Sequence, residues 1–110
     1  MLADLDQACA QAGLQPDAVL SGHAHNYQRH SRTTAGRTIP YIVAGCGGHN
    51  DAHVDKATGQ KIGDHSFDKS FRGYGYLLIT ASADNLHIDF HTLDGTGKPY
   101  DSIDTPITAN

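Results

Sequence analysis

The sequence predicts an α/β (α+β) chain in which one N-terminal helix is followed by mostly antiparallel strands, the order expected of the C-terminal half of an α/β sandwich. Three observations predict it. Apolar residues recur at helical spacing only at the start of the chain, strict two-residue alternation governs its end, and glycine or proline punctuates the short apolar runs between. The 110 residues suffice for one domain, 1–110, with one core. No internal repeat or second domain is visible.

Leu2, Leu5, Cys9 and Ala12 mark the buried side of the helix, with Asp4 and Asp6 placed in the first turn, where carboxylates favour the positive end of the helix dipole. Gly13 stops this helix and Pro16 prevents its resumption. Ala18 to Leu20 is wholly apolar, which suits a short strand buried on both faces. Tyr27 to Arg32 and Arg37 to Ala44 form a hairpin about the turn Thr33-Thr34-Ala35-Gly36, and Pro40 makes the second strand an edge or bulged one. A glycine-rich exit, Gly45-Cys46-Gly47-Gly48, follows, where the backbone can pass close to a ligand. From His49 to Gly73 the sequence is polar and reads as a long, functional or mobile loop. Tyr74 to Ser82 and Leu86 to Leu93 are the clearest strands. In the second, Leu86, Ile88 and Phe90 face the core while His87, Asp89 and His91 face away. A last short strand is expected near Tyr100 to Ile103.

The stretch with the most chemistry is Ser21-Gly22-His23-Ala24-His25-Asn26-Tyr27-Gln28-Arg29. It places two imidazoles one residue apart, behind a glycine, at a strand exit. Neutral imidazole is the commonest protein ligand for zinc, iron and related ions, and the glycine is expected to let the backbone turn sharply enough for both rings to reach a site. His23 and His25 are therefore the candidate metal ligands. The competing reading is a pair of loop histidines without a partner.

These nine residues resemble the Gly-His-x-His-x-Tyr-Glu-Arg motif of calcineurin-like metallophosphoesterases, and in particular of purple acid phosphatases. Gln28 stands where that motif has Glu. The resemblance implies a metallophosphoesterase-type β-sandwich and assigns His23 to one ion and His25 to the other ion of a dinuclear centre, with two divalent or mixed-valence metals (Fe, Zn or Mn). A strand ending in a Gly-x-Gly-Gly loop after the histidine pair is also similar to purple acid phosphatases. The earlier motifs of such enzymes, Asp-x-His, Gly-Asp-x-x-Asp/Tyr and Gly-Asn-His-Asp/Glu, do not occur, and the 22 residues before His23 contain no histidine. The expectation is therefore a C-terminal part of a phosphoesterase catalytic domain, inactive alone and with partial or no metal occupancy. A missing N-terminal half would carry the carboxylates.

Other candidates are weaker. Asn26, Tyr27 and Arg29 either contact substrate or serve loop packing and hairpin pairing, and Arg29 suits a structural salt bridge as well as a phosphate. His49, with His53 and His65, offers further ligands or a proton donor to a leaving group, although solvated loop residues have the same composition. The row His87, Asp89, His91 reads as a solvent-facing stripe. No residue is assigned a catalytic role. Two cysteines, Cys9 and Cys46, are expected to be reduced, with Cys9 packed as a small apolar residue.

Composition narrows the partners. Net charge is −4 and Lys and Arg form no run, so no nucleic-acid footprint is expected. Apolar content of 38% and a mean hydropathy of −0.44 leave no stretch near the roughly 20 apolar residues that cross a membrane, and no basic-then-apolar export signal opens the sequence. The resemblance, not the composition, implies a phosphate mono- or diester as substrate. The rival expectations are a non-catalytic β-rich module that forms homo-oligomers through exposed sheet surface, and one half of a composite two-chain enzyme.

Overall fold

A computed structural model describes residues 2–107, in the order α1 (Leu2–Ala12), β1 (Val19–Ser21), β2 (Tyr27–Thr34), β3 (Arg37–Ala44), β4 (Lys61–Ile62), β5 (His65–Phe71), β6 (Gly75–Ala81), β7 (Asn85–Thr92) and β8 (Asp101–Pro106). The strands form two sheets, β1-β3-β2-β5-β4 and β6-β7-β8. Only the β1–β3 pair is parallel. One helix with mostly antiparallel strands is the α+β arrangement that the sequence predicts.

The helix ends as its sequence dictates. Gly13 adopts φ +69°, and the amides of Gly13 and Leu14 donate to the carbonyls of Ala10 and Cys9 at 3.4 and 3.1 Å. These two bonds satisfy carbonyls left open at the helix C-terminus, the arrangement of a Schellman motif. Burial differs from expectation, however: no residue of α1 is buried. Clefts of about 630 and 550 Å³ separate the helix from the larger sheet. Arg32 bridges them, gripping Asp6 at 2.7 Å.

The hairpin is tighter than expected. Pairing continues to Thr34 opposite Arg37, leaving only Ala35 and Gly36 outside the ladder, both at positive φ (50° and 77°). Two consecutive positive φ values match the right-handed twist of a two-residue hairpin, as in a type I′ turn. Pro40 is not on an edge strand, since β3 lies between β1 and β2. The ladder to β1 involves only Tyr41 to Val43, so at Pro40 the strand has β2 as its only neighbour and its missing N–H is tolerated. β1, expected to be buried on both faces, is instead an edge strand with Leu20 exposed.

The largest departure is β5, which lies inside the stretch read as a loop. Phe67 and Phe71 are four residues apart and would share a face in a regular strand. A register shift opposite Arg29 and His30 leaves Asp68 unpaired and sends the two rings to opposite sides. Phe67 stacks on His30 with ring centroids at 4.6 Å, while Phe71 reaches Phe90 and Tyr100 on the second sheet at 5.9 and 4.9 Å. The intervening Ser66, Asp68 and Ser70 give the segment its polar, loop-like composition.

The two sheets meet over a small core of Tyr27, Ile42, Cys46, Ile88 and Phe90. Tyr27 and Phe90 stack with centroids 3.9 Å apart and planes within 11°. Both cysteines are free, but it is Cys46, fully buried, that packs as the small apolar residue, whereas Cys9 is only half-buried. Burial pushes the Cys46 thiol above its ordinary pKa, which keeps it protonated and unreactive. On the outer face of the second sheet His87 pairs with Asp104 and Asp89 at 2.8 and 2.9 Å, beside exposed Tyr76 and Leu78.

Candidate functional site

The histidine loop is built from two γ-turns in succession. The amide of Ala24 donates to the carbonyl of Gly22 at 3.0 Å, and that of Asn26 donates to the carbonyl of Ala24 at 2.9 Å. These i→i+2 bonds centre the first turn on His23 and the second on His25. His23 has φ +75°, whereas His25 is not among the positive-φ residues, so the two turns are of opposite hand. A side chain rarely adopts the first conformation, and holding it there costs about 1 kcal/mol or more. His23→Gly is accordingly expected to raise stability by about 1 kcal/mol in denaturant unfolding, because glycine takes positive φ freely.

Gly22 is not the hinge. Its φ is not positive, and a Cβ placed on it would meet nothing within 4 Å. The glycine that the loop requires is Gly45, 23 positions after Gly22 in the sequence. A Cβ there would lie 2.1 Å from the Ala24 carbonyl oxygen, and the Gly45 amide donates to the Asn26 carbonyl at 3.3 Å. The glycine-rich exit of β3 thus passes close to the histidine loop itself.

Asn26 is 3% exposed and fully engaged. Its amide donates to the His53 carbonyl at 3.1 Å and its oxygen accepts from Gln28 at 2.9 Å; the Gln28 carbonyl in turn meets His30 Nε2 at 3.0 Å. A glutamate at position 28 could accept from His30 but could not donate to Asn26, so Gln28 has a clear task in this chain. Burial, aided by repulsion from His65, lowers the pKa of His30 and favours its neutral ring, which makes this contact as the Nε2–H tautomer.

Tyr27 and Arg29 are engaged inside the fold. The Tyr27 hydroxyl donates to Asp101 Oδ2 at 2.6 Å, and Arg29 grips both carboxylate oxygens of Asp101, at 2.7 and 3.2 Å. Asp68, the bulged residue of β5, sits 3.5 Å from Arg29 and accepts from Ser31 and Ser66. Burial raises the Asp101 pKa, but the hydrogen bonds and charge of Arg29 outweigh it and hold this carboxyl below the usual carboxylate range. Burial beside Asp101 pushes the Tyr27 phenol well above its usual pKa. The two residues after the histidine loop therefore bolt it to the second sheet.

Of the other histidines, one comes to the loop. The His49 ring lies 4.5 Å from that of His25, centroid to centroid and tilted by 51°. The Ala52 amide donates to the His25 carbonyl at 2.9 Å and helps to hold the 49–53 segment there. The His53 ring turns to Asp55 and that of His65 to Asp64. Among the described residues, no group of three or more His, Cys, Asp or Glu side chains is placed to hold a metal ion. In the same residues no helix is long and apolar enough to cross a membrane.

The glycine-rich exit is marked in the sequence as a place of close backbone approach, but Gly45 as the loop's contact is set by the β1–β3 pairing. No family model, curated protein or solved structure matches the chain.

Proposed function

We propose that this chain supplies the two-histidine loop of a dinuclear metallophosphoesterase centre of the calcineurin-like, purple acid phosphatase type. The observation that carries the reading is the pair of opposed γ-turns, with His23 held at positive φ: strain of this kind persists only where the surroundings enforce it, and it concentrates at functional sites. The imidazole donors suit Fe or Zn, and Mn would depend on the carboxylates supplied from outside this chain. His23 and His25 would each hold one ion, and the remaining ligands, carboxylates and an asparagine, would come from outside these 110 residues, in the same polypeptide or in a second chain. The two sheets would then form the C-terminal half of the catalytic β-sandwich.

Two such ions, when bound, activate a shared water and offset charge on a phosphate mono- or diester. The part played by this chain is rigid placement. Tyr27 and Arg29 fix the loop to Asp101, Asn26 fixes it to the His53 carbonyl, and Gly45 backs it. Exposed His23 and His49 border the side from which a substrate would enter. The closing assay is hydrolysis of an aryl phosphate, with Fe, Zn or Mn supplied. The purified chain should be inactive, and joining it to a segment that carries the carboxylate ligands should give turnover. In that joined form His23→Ala and His25→Ala should each abolish turnover and His87→Ala should not. Equal losses from all three, or an inactive joined form that binds metal normally, would refute the proposal.

A further inference from the structure

We infer that this chain by itself binds one divalent transition-metal ion between the imidazoles of His25 and His49. The two residues are 24 positions apart in the sequence and belong to segments joined by hydrogen bonds from Ala52 to the His25 carbonyl and from Asn26 to the His53 carbonyl. Two rings that share one tetrahedral ion through nitrogens at about 2.0–2.1 Å hold their centroids roughly 5 Å apart, so a small opening of the pair would admit the ion. The observed separation is 4.5 Å.

This pair combines a mutual ring contact with unspent nitrogen, whereas the ring of His91, also without a hydrogen bond, stacks on Tyr76. His30, His53, His65 and His87 commit ring nitrogens to Gln28, Asp55, Asp64 and Asp104 respectively. Among the described residues no hydrogen bond or ion pair engages the ring of His25 or His49. Two imidazoles meeting without a carboxylate suit an ion that favours nitrogen, such as Zn²⁺, with water completing the coordination. His23 makes no ring contact with either residue and sits on the turn of opposite hand. It stands outside this ion's ligand set.

The assignment does not depend on phosphate esters being the substrate. It is tested by titrating the purified chain with Zn²⁺, following heat by calorimetry and the ring nitrogens by ¹H–¹⁵N NMR. One Zn²⁺ per chain should bind, shifting the resonances of His25 and His49. His25→Ala and His49→Ala should each weaken binding by about tenfold or more, at least the loss that follows removal of a ligand's supporting partner. His23→Ala should leave the affinity unchanged, and His49→Cys should restore binding through its thiolate. Matched unfolding midpoints without zinc would show that the variants fold. Absence of saturable binding, indifference to His49→Ala, or equal sensitivity to His23→Ala would overturn the assignment. An inactive joined enzyme that still binds Zn²⁺ through His25 and His49 would count against the phosphoesterase reading alone.

Discussion

Gly45→Ala is expected to destabilise the chain by about 3 kcal/mol and to displace the histidine loop in the same step. The added methyl would sit 2.1 Å from the Ala24 carbonyl oxygen, a backbone atom between the two γ-turns. Neither side can yield cheaply. The Gly45 strand exit is bonded to Asn26, and the segment that follows it is fixed where the Gly75 amide donates to the buried Cys46 carbonyl at 3.2 Å. Moving Ala24 instead would shift His23 and His25 together, and small misplacements of ligands are costly. Denaturant unfolding measures the first effect. Zinc calorimetry measures the second, with an expected loss of about tenfold or more, although position 45 carries no ligand. A Gly45→Ala chain with normal stability would show that the loop is free to move, contrary to the contacts described.

Asp101→Ala should have an effect of similar or greater size. Removing one member of a buried ion pair leaves the other charge uncompensated, at a cost of about 3–5 kcal/mol. Here the carboxylate serves two partners, so its loss strands the Tyr27 hydroxyl in the core and leaves the half-buried Arg29 guanidinium with Asp68 at 3.5 Å. For a domain of this length the melting temperature should fall by about 12 °C or more. The sign of the pH dependence follows from the lowered pKa of Asp101. A carboxyl that binds its proton less readily when folded contributes stability that is fully present above its unfolded pKa and is lost as pH falls through the folded one. The native chain should therefore lose stability below about pH 4, and Asp101→Ala should show a shallower loss there. Exposed pairs such as His87 with Asp104 add little to that slope, being screened by water.

How much of this was legible in the sequence depends on where each constraint is stored. The helix, the hairpin and β7 follow from local patterns, and Leu86, Ile88 and Phe90 turn to the core side as alternation requires. β5 escaped because its bulge at Asp68 breaks the alternation, and because the half-buried Asp68 is satisfied by Arg29 and Ser31, partners from another strand. The histidine pair could be read from the sequence; the handedness of its turns could not, and the hinge was misplaced onto Gly22. The turns are backed by Gly45 through Ala24 and Asn26, a contact that only the tertiary fold creates. The pairing of Arg29 with Asp101 spans 72 positions, beyond the reach of any local pattern.

The thin attachment of α1 has a consequence for how the chain opens. A segment that buries none of its residues and is gripped chiefly through the ion pair of Arg32 with Asp6 gains little from staying docked. Its backbone amides would exchange with solvent through fraying of that segment alone, at a small fraction of the free energy needed to separate the two sheets. The histidine loop is tied to the sheets through Asn26, Tyr27 and Arg29, so peeling the helix away would uncover the outer face of β3 and leave His23, His25 and His49 in place.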